Sequence, residues 1–301
     1  MPRAELELGS APGGFRSGFV SIVGRPNVGK STLLNQILRS KVAITSDRPQ
    51  TTRNAIRGVY TTDDAQLVFV DTPGMHRPRT ELGRRLNRLV RDTIDEVDVG
   101  VFLVDATGVG KGDAFIASEL KQHPTPVLVV LNKIDIVDPR TLARANDQLL
   151  ALFPDVPPFG ISARTGDGVE ELVAALIAAV PEGPVLYPPD ALTDQSPAQT
   201  VAELIREKAL ELTREEVPHS IAVVVDAMTD DEVHASIYVE RDSQKGIVIG
   251  KRGAMLKEIG SRARRDIEKL LGHRVFLDLV VKVAPDWQSR DASLERFGYG
   301  T

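Results

Sequence analysis

An α/β domain on a mostly parallel sheet with helices on both faces, followed by a smaller α+β domain, is the fold the sequence predicts. Three observations carry it. Phe19-Val20-Ser21-Ile22-Val23 is a short apolar run, residues 24–31 form a glycine-bounded turn, and residues 32–38 place apolar side chains at helical spacing. Further apolar runs at 99–104, 126–131 and 158–161 alternate with helical stripes, the pattern of parallel strands joined by crossover helices. A proline-rich stretch then separates this half from a second half with a different order of elements.

The chain has 301 residues, enough for two domains with a core in each. Its net charge of -5 excludes a protein that is basic all over, as a nucleic-acid coat would be. There are no cysteines, which excludes disulfides, thiol catalysis and thiolate-ligated zinc. No apolar run approaches the ~20 residues that span a bilayer. Aromatic residues make up 5%, too few for an extended base-stacking platform. Residues 1–17 are polar and glycine-rich, without an apolar signal core, and read as a disordered leader before a domain at 18–182.

The turn Gly24-Arg25-Pro26-Asn27-Val28-Gly29-Lys30-Ser31 sits between a strand and a helix, the context a phosphate-binding loop needs. Its backbone N–H groups and the helix N-terminus that follows, beginning near Thr32, attract phosphate oxygens. Lys30 is placed to reach β- and γ-phosphates, and Ser31 to ligate magnesium. Residues 41–53 form a polar loop in which Thr51 and Thr52 are the candidates for a second magnesium contact. Thr52 is favoured, with an ordinary surface loop as the competing reading. Residues 55–60 and 66–70 form an antiparallel hairpin whose second strand ends in Asp71-Thr72-Pro73-Gly74. Asp71 is placed to hold magnesium through water, and the Gly74 N–H to meet the γ-phosphate, with Met75 next. Lys30, Thr52 and Gly74 are thus the groups expected to act on the γ-phosphate.

Asn132-Lys133-Ile134-Asp135 follows a buried strand. A carboxylate accepts from both N1–H and the 2-amino group of guanine, whereas adenine offers neither donor. Asp135 therefore selects GTP over ATP, because the wrong base leaves it unpaired. Asn132 braces the phosphate loop, and the Lys133 stem covers the base. Ser162 and Ala163 follow the next strand, where the Ala163 N–H meets the guanine oxygen. The reading is a guanine-nucleotide domain with its ligands, GTP or GDP with Mg2+, at the carboxyl ends of the strands.

Residues 183–197 hold several prolines and read as a linker, with a second domain at 198–301. Its predicted order is α-β-β-α-α-β. Between two helical segments lies Gly250-Lys251-Arg252-Gly253, a turn that lets a nucleic-acid backbone approach while two basic side chains meet phosphates. Residues 245–274 carry nine Lys/Arg against three acids, a local net of +6 in an otherwise acidic domain. Lys257 and Arg264, on the following helix, extend this candidate RNA surface.

With both halves placed, the chain resembles the Era family of GTPases. The resemblance rests on residues 24–31, Gln50-Thr51-Thr52-Arg53, Asp71-Thr72-Pro73-Gly74, Asn132-Lys133-Ile134-Asp135 and Ser162-Ala163. In the second half it rests on Ile205-Arg206-Glu207-Lys208, residues 249–253, Val281-Lys282-Val283 with Trp287, and Phe297-Gly298-Tyr299. It implies a type II KH second domain, binding to 16S rRNA near its 3′ end, and action in 30S subunit assembly. It also implies a cytoplasmic monomer with peripheral association at the inner face of the cell membrane. One departure from Ras-type GTPases bears on rate: Met75, with His76 next, stands where a water-orienting glutamine would be, so slow intrinsic hydrolysis is expected. Asn27 resembles the asparagine that ligates K+ in related GTPases. His76 as a base is the weaker reading beside a solvent-facing histidine. Two alternatives stay open: an RNA-binding module that uses nucleotide as a structural ligand, and a GTPase acting on another RNA. An ATP-dependent kinase is disfavoured by Asp135.

Overall fold

The computed structural model describes residues 8–9, 13–45, 56–75, 81–214 and 217–299. The chain forms two compact units; among the described residues the second lies mainly from Gln195 onward and also takes in residues 44–45 and 81–85.

The first unit is a six-stranded sheet. Its elements in chain order are β1 (Arg16–Val23), α1 (Lys30–Leu38), β2 (Ile56–Thr61), β3 (Ala65–Asp71), α2 (Glu81–Glu96), β4 (Val99–Asp105), α3 (Lys111–Leu120), β5 (Val127–Asn132), α4 (Pro139–Leu152), β6 (Phe159–Gly160) and α5 (Val169–Ala179). The strand order is β2-β3-β1-β4-β5-β6, all parallel except β2, which pairs antiparallel with β3. Alternate residues feed two apolar layers. Val101 and Leu103 of β4 pack with Leu33, Leu34, Leu172 and Leu176 from α1 and α5. Phe102 and Val104 pack with Val90, Ile94, Ile116 and Leu149 from α2, α3 and α4. Because β1 has β3 on one side and β4 on the other, crossovers diverge at its carboxyl end. That leaves a crevice there for a ligand.

Two boundaries differ from the sequence reading. The expected leader 1–17 overlaps the sheet: β1 starts at Arg16, Phe15 is buried against Val185, and the Ser17 N–H donates to the Pro181 carbonyl. The expected linker 183–197 is largely part of the first unit. Leu186 and Tyr187 N–H groups both donate to Oε1 of the buried Gln66 at 2.8 Å, and Val59 N–H donates to the Leu192 carbonyl at 2.9 Å. Prolines remove donors, but the remaining backbone groups of this segment find partners on Gln66 and on β2. The segment so covers an edge strand that would otherwise present open backbone groups.

The second unit contains α6 (Pro197–Leu212), α7 (Val217–Ser220), β7 (Ala222–Met228), β8 (Glu232–Val239), α8 (Asp242–Ile249), α9 (Ala254–Leu271), β9 (Phe276–Val283) and α10 (Asp291–Arg296). β7 and β8 are antiparallel, and β8 and β9 parallel. Val233, Ala235, Ile237 and Val239 point from β8 into a core with Val201, Ile205, Ile259, Ala263 and Ile267 of α6 and α9. The predicted α-β-β-α-α-β order holds, with two short helices added. Pro218 stands at the second position of α7, where a missing N–H leaves no bond unmade, so it starts a turn rather than ending a helix. α10 follows a turn whose Trp287 is fully buried, its Nε1 donating to the Ser220 carbonyl at 2.8 Å. Among the described residues, no helix is long and apolar enough to cross a membrane.

Candidate active site and nucleic-acid interface

Residues 24–31 leave the carboxyl end of β1 and enter α1. Gly29 has φ 103°, a left-handed conformation, and a Cβ there would lie 2.3 Å from Asn132 Nδ2. Glycine is required on both grounds. Lys30 is buried and turned inward, donating to the Gly24 carbonyl at 3.3 Å and the Arg25 carbonyl at 3.1 Å. Burial lowers its pKa to about 8, and the charge of Asp71 opposes that shift. A loop of N–H donors with one buried cation is matched to phosphate.

Ser31 Oγ donates to Asp71 Oδ2 at 2.8 Å, and Asp71 is fully buried at the carboxyl end of β3. A hydroxyl and a carboxylate so placed fit a hard cation that keeps several waters, as Mg2+ does. Ser31 and Asp71 are the residues that would hold it. When bound, the ion supplies charge neutralisation at the β- and γ-phosphate oxygens. Thr51 and Thr52, the other magnesium candidates, and His76 lie outside the described residues. Thr72 Oγ1 donates to the Ile22 carbonyl at 2.8 Å, so its hydroxyl ties β3 to β1. Gly74 backs onto Pro26, and the Met75 N–H donates to the Gly24 carbonyl at 3.3 Å. The Met75 side chain is buried among Val23, Val90, Ile94 and Phe102, so the side chain contributes packing behind the site. Val28 is buried, and Thr32 stands half-buried in the first turn of α1.

The base-recognition residues cross-link three strand ends. Asn132 Nδ2 donates to the Val28 carbonyl at 2.7 Å, and its Oδ1 accepts from the Ala163 N–H at 2.9 Å. One side chain therefore ties the phosphate loop to the Ser162–Ala163 turn. The same bond engages the N–H expected to meet the guanine oxygen. Lys133, at φ 69°, spans from the Asn27 carbonyl (2.9 Å) to Asp105 Oδ2 (2.6 Å). Asp135 accepts from Arg164 Nη2 at 2.6 Å. A hydrogen bond from Ser162, and then the Arg164 guanidinium, hold its carboxyl below the ordinary carboxylate range.

Sequence reasoning missed two acids. Asp105 ends β4 directly opposite Asn132 in register. Burial pushes its carboxyl up, but hydrogen bonds from Lys133 and Thr107 outweigh this and leave it below its ordinary value. An acid at the end of the apolar run 99–104 was an available signal. Asp113, fully buried, binds Arg25, and no local pattern marks it. Arg25 was expected at the nucleotide, but its side chain is directed to α3 instead.

In the second unit, Gly250 (φ 72°), Arg252 (φ 52°) and Gly253 (φ 77°) bend the chain between α8 and α9. A Cβ at Gly250 would lie 2.7 Å from Met255 Cβ. Lys251 and Arg252 stand exposed at the tip. Beside them a groove of about 470 Å³ runs between α9 and β9, lined by Gly253, Leu256, Lys257, Arg264, Leu277 and Leu279 among others. The turn and the two further basic residues singled out from sequence thus share one surface. Its floor is leucine rather than aromatic, suited to bases lying on an apolar surface while Lys and Arg meet the backbone. Part of the positive charge is neutralised internally, since Arg262 pairs with Glu258 at 2.7 Å.

Residues 19–133 match a family model described as 50S ribosome-binding GTPase, and residues 216–288 one described as KH domain. The structure also matches a crystal structure of Era in complex with MgGDPNP and nucleotides 1506–1542 of 16S ribosomal RNA. The TM-score is 0.92 at 40% identity, covering 95% of this chain and 100% of that one. The chain belongs to the Era family. A structure of an Aquifex aeolicus Era variant bound to GDP·AlF4− matches with the same TM-score, identity and coverage. Membership makes this a GTPase with a C-terminal KH domain, and the candidate nucleotide site is the one assembled from the ends of β1, β3, β4, β5 and β6. Its polar groups largely hold one another.

Proposed function

We propose that this Era-family GTPase binds the 3′ region of 16S rRNA in the groove between α9 and β9 and acts in 30S subunit assembly, with GTP and GDP timing the contact. The observation that supports this most directly is the groove itself. An exposed Gly-Lys-Arg-Gly turn continues into a leucine-floored channel edged by Lys257 and Arg264, and a relative 40% identical has been crystallised with nucleotides 1506–1542 of 16S rRNA.

In this reading the nucleotide loop with Lys30 neutralises the β- and γ-phosphates, Ser31 and Asp71 hold Mg2+, Thr52 joins them, and Gly74 meets the γ-phosphate. Asp135, Lys133, Asn132, Ser162 and Ala163 receive the base. Hydrolysis is slow, because Met75 is turned into the core and offers nothing to orient water. Asn27 is proposed to bind K+, which then does part of an arginine finger's work. Equal turnover in potassium and in sodium removes that element. Cytoplasmic location as a monomer, with peripheral association at the inner membrane face, completes the reading.

The test is crosslinking in cells, comparing wild type with the Lys251→Ala/Arg252→Ala double variant. The expected outcome is enrichment of the 16S 3′ region with wild type and its loss with the variant, while GTP turnover is retained. An unchanged RNA profile would show that RNA is held elsewhere.

A further inference from the structure

The side chain of Arg25 has a dedicated receptor. Asp113, the third residue of α3, is fully buried. Its Oδ1 accepts from Arg25 Nε at 2.7 Å, and its Oδ2 accepts from the Gly110 N–H at 2.8 Å. Arg25 Nη2 donates to the Gly108 carbonyl at 2.9 Å. The arginine stem lies across Gly112, where a Cβ would stand 2.6 Å from Arg25 Cδ and 3.3 Å from Cγ. A carboxylate, a carbonyl and a bare Cα, all within six residues of chain, are therefore shaped to one guanidinium and its stem.

What that receptor holds in place is the outer limb of the phosphate loop. The Arg25 backbone carbonyl accepts from Lys30 Nζ at 3.1 Å. Arg25 lies between Gly24, whose carbonyl takes Lys30 and the Met75 N–H, and Pro26, against which Gly74 packs. Moving the arginine moves these contacts with it. A charge-assisted pair with its carboxylate fully buried is strong and directional, and displacement of a positioned group by about 1 Å can lower rates roughly 100-fold.

We propose that residues 108–113 form a clamp that sets the shape of the nucleotide loop through Arg25, making Asp113 and Gly112 positioning residues for GTP binding and hydrolysis. Their influence passes through the Arg25 backbone.

Gly112 supplies the cleanest test, because the clamp and ordinary helix energetics predict opposite signs. Gly112→Ala favours helix within the first turn of α3, so a purely structural role predicts equal or higher thermal stability with normal kinetics. The clamp predicts that the added methyl pushes Arg25 off Asp113. In full-length protein, kcat/KM for GTP then falls by about tenfold while the melting midpoint holds or rises. Arg25→Ala produces a similar loss. In the Arg25→Ala background, Gly112→Ala has no further effect, since there is no stem left to displace. Losses that add in the double variant, or a Gly112→Ala protein with wild-type kcat/KM, overturn the proposal. Should Gly112→Ala not fold, the same non-additivity is read from Arg25→Gln and Asp113→Asn. The second keeps the shape and a carbonyl acceptor for Arg25, and additive losses there overturn the clamp equally.

Discussion

The nucleotide site and the RNA groove are built in different ways. The first draws residues from five strand ends spread over residues 24–163, and its polar groups are mostly each other's partners. Asn132 joins Val28 to Ala163, Lys133 joins Asn27 to Asp105, and Ser31 joins Asp71. The groove is local. Its turn, helix and strand lie within residues 250–283, and its basic side chains face solvent. A cross-linked site is rigid, discriminating and intolerant of change at single positions. A local one tolerates loss of a charge and is governed by backbone shape and by salt. The difference fits the ligands proposed for them: one base and three phosphates of fixed geometry, against a flexible strand read through its backbone.

The contrast is tested most sharply at Asp135. Asp135→Asn keeps the shape and removes the paired acceptor for guanine N1–H and the 2-amino group. GTP affinity is expected to fall by at least about 100-fold. Xanthosine triphosphate, which carries a carbonyl in place of that amino group, should bind the variant better than GTP does. The substitution also weakens the ion pair with Arg164, but that arginine is exposed and the pair accounts for little of the effect. Competition of both nucleotides against a labelled guanine nucleotide measures this. If the variant keeps its preference for GTP, base recognition lies elsewhere.

A smaller effect is expected at Gly250, where the groove depends on backbone shape. Alanine at φ 72° and ψ 174°, against Met255, costs roughly 1–3 kcal/mol in the second unit. RNA affinity should drop with it, while GTP affinity stays as it was. A parallel loss of GTP affinity would contradict the separation of the two sites. The RNA measurement belongs at two salt concentrations, since the phosphate contribution is salt-dependent.

The smallest expected effect is electrostatic. His234 on β8 lies 3.3 Å from Glu232 and 3.4 Å from Asp278, and hydrogen bonds to these two acids, Glu232 first, raise its pKa above the ordinary 6.5. The protonated form is favoured in the folded chain. Its contribution is therefore fully present below pH 6.5 and is lost as pH rises through the elevated value. Urea midpoints from about pH 5.5 to about pH 8.5 should show a shallow decline in wild type that His234→Gln removes. Identical slopes in the two proteins would assign the decline to other groups.

How far the molecule was legible from residues alone follows the same division. The strand–glycine loop–helix unit, the succession of strands in both halves, and the basic turn were readable because each is a local pattern with its own physical rule, whereas helices α4, α7 and α10 were not named from it. The roles of individual members were less so. Thr72 and Arg25 sit inside recognisable motifs, yet their side chains serve the Ile22 carbonyl and Asp113. Residues 183–194 have the composition of a linker, yet Gln66 and the open edge of β2 give their backbone groups partners. A buried glutamine 120 residues away does not show in a proline count.

By itself the sequence determined which chemistry to expect and where: a triphosphate at the loop with Lys30, guanine at Asp135, and a nucleic-acid backbone at Lys251 and Arg252. Each needs particular functional groups at short, fixed spacing, and spacing is what a sequence records. The tertiary structure alone decided which groups hold those residues in place. Met75 is turned into the core, Asp105 meets Lys133, and Asp113 and Gly112 receive Arg25. Those partners are set by sheet register and by helices packed across it, which bring together residues that no local period connects.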